Sequence, residues 1–130
     1  MEHWRAEAAL GRRVLVVEDE PLIALALEEM LAEHGYRVVA SAQTVAVALR
    51  HVAETQFDVA LLDLRIGAES VEPVADRLDA MGAAFVFATG YGRSALPPAH
   101  SARPIVEKPF RTEALIAALA AAARHAAQKA

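Results

Sequence analysis

The 130-residue chain contains no cysteine, so the sequence offers no disulfide, no thiol nucleophile and no thiolate metal site. Aromatic residues make up only 5% of the chain, although 55% of it is hydrophobic and much of that fraction is alanine. This mixture favours helices packed on a sheet over a sandwich of two sheets or an aromatic-lined cavity. The five histidines are scattered, with no pair at helical spacing to suggest zinc.

Basic runs and long apolar runs are also missing. The net charge is −4, and without a basic patch we expect no direct nucleic-acid partner. No stretch approaches the roughly 20 apolar residues that span a bilayer. The charged residues near the start leave no apolar core for a signal peptide. We therefore expect a soluble, cytoplasmic chain with no membrane partner, in which an N-terminal extension over residues 1–12 precedes one domain over residues 13–127.

Two unbroken apolar runs end in acidic residues. Residues 14–17 lead into Glu18 and Asp19, and residues 59–62 end at Asp63. Such runs are typical of parallel strands covered on both faces. Because function in open parallel sheets collects at the carboxyl ends of the strands, these acids are candidate site residues.

The remaining chain alternates between helical and strand patterns. Helices are predicted from Pro21, after an N-cap at Thr44, after a cap at Ser70, and from about Thr112. The third helix is expected to bury Val74, Leu78 and Met81. Further strands are predicted over residues 36–40, 84–88 and 104–107. Residues 91–103 contain Pro97-Pro98 and allow at most one or two helical turns.

This alternation predicts an α/β fold, a three-layer sandwich with a five-stranded parallel sheet and a short or irregular fourth helix. By analogy with flavodoxin-like domains of this size, the expected strand order is 2-1-3-4-5, which places the ends of strands one and three side by side. Four strand ends would then share one edge of the sheet. Their residues are Glu18 and Asp19, Asp63, Thr89, and Lys108.

Clustered carboxylates repel one another and raise each other's pKa unless a cation lies among them. Oxygen ligands of this kind suit Mg²⁺, which completes its coordination with water and phosphate oxygens. An aspartate beside Mg²⁺ can attack phosphorus, while an ammonium and a hydroxyl neutralise and position the phosphoryl oxygens. Taken singly, Glu18 and Asp19 could cap the first helix. Asp63 could cap a strand or open a turn, Thr89 could start a turn, and Lys108 could be a solvated charge. Their joint occurrence at one edge favours phosphoryl transfer.

Four short motifs of the sequence resemble those of a known family. Val-Glu-Asp-Glu at 17–20, Leu-Leu-Asp-Leu at 61–64, Ala-Thr-Gly at 88–90 and Glu-Lys-Pro-Phe at 107–110 resemble the receiver domain of two-component response regulators, over about residues 13–125. Residues 85–91 also resemble a subgroup of mostly stand-alone receivers from alphaproteobacteria that carries a Phe-Ala-Thr-Gly run.

The resemblance implies that Asp63 is the phosphoacceptor, phosphorylated by a sensor histidine kinase or a phosphotransfer protein. It also implies that Thr89 and Lys108 hold the phosphoryl oxygens and that the peptide bond between Lys108 and Pro109 is cis. Such a protein would catalyse its own phosphorylation and dephosphorylation and no other reaction. Its output would be contact with an unknown downstream protein, or phosphate relay, within a stress pathway.

The resemblance further implies a Mg²⁺ site. Asp19 would bind the ion together with Asp63, Glu18 would act through a bound water, and the backbone carbonyl of Arg65 would complete the protein ligands. Glu18 stands where an aspartate is more frequent in the family, and the family tolerates this change.

Three positions concern the conformational switch and the lifetime of the phosphate. Ile105 occupies a position where most receivers carry Tyr or Phe, whose ring turns inward on activation. An isoleucine has no ring to turn inward, so this switch is not expected here, and we expect signalling through residues 90–104 instead. Arg65 and Tyr91 follow Asp63 and Thr89 by two residues, where the family tunes the lifetime of the phosphate. Arg65 could pair with Glu18 or the phosphate, or point to solvent, and Tyr91 could equally be a packed loop residue.

Three other functions are compatible with an α/β fold of this size. A haloacid-dehalogenase-like phosphatase would need Asp-x-Asp, but the second acidic position is Arg65. A flavin carrier would need a phosphate loop where Glu18, Asp19 and Glu20 would repel phosphate. The strongest alternative is a receiver-like module that binds a partner without being phosphorylated.

Overall fold

The computed structural model describes residues 12–129, with side chains described up to residue 126. The expected extension over residues 1–12 lies almost wholly outside the described residues, and the domain boundaries at 13 and 127 stay predictions. No helix within the described range is both long enough and apolar enough to cross a membrane.

Strands and helices alternate along the chain in the order that the sequence predicts, with one additional small hairpin. The elements are β1 Arg13–Val17, α1 Pro21–Ala32, β2 Arg37–Ala42, α2 Val45–Glu54, β3 Val59–Asp63, β4 Arg65–Ile66, β5 Glu69–Ser70, α3 Glu72–Ala80, β6 Ala84–Thr89, β7 Ile105–Glu107 and α4 Thr112–Lys129, with 3₁₀ turns at Arg93–Ala95 and Pro98–His100 between β6 and β7.

The large sheet has five strands in the order β2-β1-β3-β6-β7, and every neighbouring pair in it is parallel. Counted along the chain without the hairpin strands, this is the predicted order 2-1-3-4-5, which is confirmed. The register sets Val17 opposite Leu62, so β1 and β3 end side by side. Asp63 in turn lies opposite Ala88 of β6.

Alternating side chains of the sheet face two separate helical layers. One face packs Leu15, Leu62 and Phe87 together with buried residues of α2 and α3. The opposite face packs Val16 and Leu61 with buried residues of α1 and α4. Because each fully buried side chain of this size contributes about 1.5–3 kcal/mol, the two layers fix the positions of the strand ends. This is the predicted three-layer sandwich.

Residues 90–104, which we call the 90–104 segment, contain no α-helix. Two 3₁₀ turns lie between β6 and β7, where the sequence predicted a short or irregular helix before the C-terminal one. That prediction is confirmed. Arg93 holds the segment in a compact loop, since its Nη1 donates to the carbonyl oxygens of Ser101 at 3.2 Å and Arg103 at 2.6 Å. Leu96 anchors it in the core at 7% exposure.

The predicted N-cap at Thr44 is confirmed, because its Oγ1 accepts the Val47 N–H at 3.1 Å. The predicted cap at Ser70 is wrong, since α3 begins one residue later and its N-cap is Val71. Ser70 is the last residue of the hairpin, and its Oγ still accepts the Glu72 N–H at 3.1 Å. Strand pairing therefore delays the start of the helix.

Two further details differ from the sequence prediction. Met81 was expected in the buried stripe of α3 but is 51% exposed. It is the C-cap residue of a helix that ends at Ala80, and Gly82, at φ +69°, turns the chain there. Strand two was expected over residues 36–40, but it continues to Ala42 because its last two residues pair with the end of β1.

Candidate functional site

Three carboxylates meet at the carboxyl ends of β1 and β3. Glu18 and Asp19 follow β1, and Asp63 is the last residue of β3. Each offers an oxygen atom such that the three atoms lie within 4.8 Å of one another. The cluster follows directly from the pairing of the two strands, whose parallel register ends both at the same edge.

Lys108 reaches this cluster from the end of β7. Its Nζ donates to Oδ2 of Asp63 at 3.0 Å and to Oε1 of Glu18 at 3.2 Å. The backbone N–H of Lys108 donates to the carbonyl oxygen of Thr89 at 2.9 Å, which joins the ends of β6 and β7. The peptide bond between Lys108 and Pro109 is cis, as the resemblance implied.

The charges in this site perturb one another. Burial raises the pKa of Glu18, and the nearby Asp63 adds to that effect, although hydrogen bonds from the Glu20 N–H and Lys108 oppose it. Burial alone would lower the pKa of Lys108, but its hydrogen bonds and ion pairs with Asp63 and Glu18 outweigh burial and raise it. The Lys108 ammonium pairs with two of the three clustered carboxylates, so carboxylates outnumber the ammonium and the site attracts further positive charge.

The donor set fits a hard divalent cation. All three side chains offer oxygen atoms, which Mg²⁺ prefers, and their spacing lets one ion contact more than one of them. Asp19 is held in place because its Oδ2 accepts the Gly67 N–H at 2.8 Å. Gly67 has φ +64°, a conformation that glycine adopts readily, and it lies in the turn of the β4–β5 hairpin.

Thr89 completes the edge from β6. It is 2% exposed, and its Oγ1 accepts the Tyr91 N–H at 2.9 Å. A hydroxyl that accepts one hydrogen bond can still donate its own proton. The Thr89 hydroxyl can therefore donate a hydrogen bond while its oxygen holds the first turn of the 90–104 segment.

Three residues were considered for tuning and switching, and within the described part of the chain none of their side chains forms a hydrogen bond or ion pair with the carboxylate cluster. Arg65 is exposed, and its Nη2 donates to the carbonyl oxygen of Ala68 at 2.8 Å within the hairpin, so it does not pair with Glu18. Tyr91 is 84% exposed and is not a packed loop residue. Ile105 is half-buried and pairs in register with Phe87 of β6.

The sequence analysis missed two features that bear on the site. The hairpin around Gly67, which fixes Asp19, was not identified from the sequence, although the glycine was a usable turn signal. His100 was taken as one of several scattered histidines, yet it is 3% exposed and its Nε2 lies 2.8 Å from Oδ1 of Asp76. The sequence around His100 has no hydrophobic periodicity from which its burial could have been predicted.

Comparison with known proteins identifies one family and several similar structures. Residues 14–120 match the family model described as the response regulator receiver domain. The solution structure of SdrG from Sphingomonas melonis Fr1 is similar at 41% identity and a TM-score of 0.75, over 87% of this chain and 96% of that one. The BeF3-activated conformation of SdrG from Pseudomonas melonis Fr1 is 40% identical with a TM-score of 0.73, over 86% and 96%.

Among curated relatives, the sensory transduction protein LytT of Enterococcus faecalis is 31% identical over 119 residues, which is 88% of this chain and 49% of LytT. The transcriptional regulatory protein PdtaR of Mycobacterium tuberculosis is 39% identical over 61 residues, which is 47% of this chain and 30% of PdtaR. The chain therefore spans half or less of the length of these relatives.

Proposed function

Because this chain belongs to the response regulator receiver domain family, we propose that it is a phosphoacceptor signalling protein of a two-component system. It receives a phosphoryl group on Asp63 from a sensor histidine kinase or a phosphotransfer protein. One observation carries the proposal: the Asp63 carboxylate ends β3 within 3.0 Å of the Lys108 ammonium and lies in one acidic cluster with Glu18 and Asp19.

The same cluster is the proposed site of Mg²⁺. Asp19, Asp63 and the backbone carbonyl of Arg65 would hold the ion directly, and Glu18 would contribute through a bound water. When bound, the ion supplies positive charge to the phosphoryl oxygens during transfer. The hydrogen bond from Gly67 to Asp19 supports this assignment, because it orients one carboxylate before any ligand arrives.

In the proposed reaction, an oxygen of the Asp63 carboxylate attacks the phosphorus of the donor. The new O–P bond forms as the N–P bond of phosphohistidine breaks, and the imidazole nitrogen keeps the bonding electrons and takes up a proton. Lys108 exchanges its contact with Asp63 for a phosphoryl oxygen, and the Thr89 hydroxyl donates a hydrogen bond to another. The ammonium neutralises charge on these oxygens, and the hydrogen bond stabilises it.

The reverse half of the cycle uses water. A water molecule attacks the phosphorus, the O–P bond breaks, and inorganic phosphate leaves the restored Asp63 carboxylate. In this proposal the protein catalyses only its own phosphorylation and dephosphorylation. It works in the cytoplasm, without a nucleic-acid contact, and its output is a contact with a downstream protein or a relay of the phosphoryl group. The exposure of the Tyr91 side chain supports an output contact through the 90–104 segment.

The proposal is tested by intact mass spectrometry after incubation with Mg²⁺ and a small phosphodonor. We expect one phosphoryl adduct on the wild type and none on Asp63→Asn, which keeps the shape of the side chain but removes the nucleophile. Chelation of the metal should abolish the adduct. Glu72→Gln, which neutralises a carboxylate of α3 outside the cluster, serves as the control and should be modified like the wild type.

The alternative module that binds without phosphorylation gives a different result. It predicts no adduct from the small phosphodonor and no transfer from a phosphorylated histidine kinase, although the protein is folded. Either form of transfer, dependent on Asp63, would exclude it.

A further inference from the structure

The described part of the chain has three buried polar or charged side chains, and only two of them belong to the phosphoacceptor site. Glu18 and Thr89 are in that site, and His100 is the third, at 3% exposure. His100 ends the second 3₁₀ turn of the 90–104 segment. A buried polar group costs free energy unless its hydrogen bonds are made, so its presence calls for a physical reason.

His100 makes one strong polar contact and lacks another. Its Nε2 lies 2.8 Å from Oδ1 of Asp76, a side chain of α3 that is 60% exposed. Its Nδ1 is buried and has no hydrogen-bond partner. A phenylalanine would fill similar space without a buried nitrogen that lacks a hydrogen-bond partner, and such an unsatisfied group carries a desolvation cost. Packing alone therefore does not account for a histidine here.

The ring of His100 touches the strand that ends at Thr89. Its centroid lies 5.8 Å from that of Phe85 and 6.0 Å from that of Phe87, both on β6. Side chains two residues apart on a strand share one face, so Phe85, Phe87 and Thr89 form one row. His100 covers the part of this row formed by Phe85 and Phe87.

A second connection runs along the chain. The Thr89 hydroxyl holds the Tyr91 N–H at 2.9 Å, so a shift of Thr89 toward a phosphoryl group pulls on the start of the 90–104 segment. The other end of that segment is attached to α3 twice, because Arg103 pairs with Asp79 as His100 pairs with Asp76. A motion at Thr89 can therefore reach these attachments through the segment.

We propose that the His100–Asp76 pair is a latch that couples occupancy of the phosphoacceptor site to the docking of the 90–104 segment on α3. This inference rests on the proposed function above. The latch is closed in the state described here, in which Lys108 is paired with the unphosphorylated Asp63 carboxylate. It weakens when Thr89 engages a phosphoryl group, which frees the segment for a partner. His100 acts through Phe87 and Thr89 and is a positioning residue.

Linkage gives the latch a measurable consequence. If the pair holds only in the unphosphorylated state, its removal favours the other state and tightens binding of a phosphoryl mimic. A hydrogen bond of ordinary net strength corresponds to about a five-fold change in that affinity. A purely structural pair would lower stability and leave the affinity of the folded protein unchanged.

The test is a titration with beryllium fluoride in saturating Mg²⁺, followed by amide NMR signals around Thr89. His100→Phe keeps the ring and removes the hydrogen bond, and Asp76→Ala removes the same bond from the exposed side. We expect each variant to lower the midpoint about five-fold, and to leave the affinity for Mg²⁺ alone unchanged. Glu72→Ala removes a different carboxylate from α3 and should titrate like the wild type.

The outcomes separate the two proposals. If the wild type does not respond to beryllium fluoride, or if Asp63→Asn responds in the same way, both the phosphoacceptor function and the coupling are refuted. If the wild type responds and folded Asp76→Ala has the same beryllium fluoride midpoint, only the latch is refuted. A higher midpoint for Asp76→Ala would refute the latch as well. If His100→Phe does not fold, Asp76→Ala decides the question, because its side chain is mostly exposed.

Discussion

The replacement Lys108→Met should destabilise the metal-free protein and make its stability depend more steeply on Mg²⁺. The Lys108 ammonium lies 3.0 Å from Asp63 and 3.2 Å from Glu18. Methionine retains most of the apolar volume of the side chain but carries no charge. The variant therefore leaves the cluster of Glu18, Asp19 and Asp63 without the ammonium that pairs with two of its carboxylates.

The size of the effect follows from burial. At an effective dielectric constant of about 20, opposite charges at such distances attract by roughly 5 kcal/mol before the cost of desolvation. Removal of one partner from a fully buried pair costs about 3–5 kcal/mol, whereas an exposed pair contributes about 0–1 kcal/mol. The Lys108 side chain is 25% exposed and that of Asp63 18%, so we expect an intermediate loss of about 2 kcal/mol.

The assay is urea unfolding near neutral pH, once with a chelator and once with saturating Mg²⁺. The loss should be largest with the chelator and should shrink with Mg²⁺, because the ion replaces the missing positive charge. The variant should also bind Mg²⁺ more tightly, since no ammonium competes for Glu18 and Asp63. Arg50→Met, which removes an exposed cation from α2, is the control and should show a small change independent of Mg²⁺.

Two results would refute this reasoning. If Lys108→Met unfolded at the same urea concentration as the wild type in chelator, the ammonium would not be compensating the cluster. If Mg²⁺ stabilised the variant and the wild type equally, the ion and the ammonium would not share the same carboxylates.

Three smaller predictions concern single side chains. Because the folded state raises the pKa of Glu18, chiefly by burial, the folded state binds its proton more tightly than the unfolded state, and the metal-free protein should lose stability as pH rises through that pKa. Glu18→Gln should flatten this decline in urea unfolding, and an equal slope in both proteins would contradict the assignment. Thr44→Ala should cost about 1 kcal/mol in the same assay and Thr44→Ser much less, so equal losses would exclude a capping role. Arg65→Asn should change the half-life of the phosphorylated protein more than its stability, and an unchanged half-life would remove the tuning role.

Much of the fold was predictable because its signals are local. The apolar runs before Asp19 and Asp63 define buried strands, and the right-handed crossover of parallel units leaves few possible sheet orders. The proline at the start of α1 and the threonine cap of α2 act within one helical turn. Since parallel strands end at a common edge, the candidate site could be assembled from the sequence once these strands were placed.

Element boundaries were less predictable, because neighbouring structures compete for the same residues. Ser70 has the chemistry of a helix cap, yet the hairpin takes it as a strand residue and the helix begins after Val71. Met81 fits the apolar period of α3, but the helix ends before it. Neither result follows from the local pattern, since both depend on which of two arrangements has the lower free energy in the folded chain.

Hydrophobic periodicity and the residues at the strand ends predicted the layers and the set of side chains at one edge of the sheet, whereas the strand order came from analogy with flavodoxin-like domains. Which of those side chains touch depends on the folded structure. The contact of Lys108 with Asp63 spans 45 residues and that with Glu18 spans 90. The pairing of Arg13 with Asp58 and the burial of His100 beside Asp76 arise in the same way. Hydrophobic period and turn chemistry describe one element at a time, whereas such contacts depend on strand register and side-chain packing between distant elements.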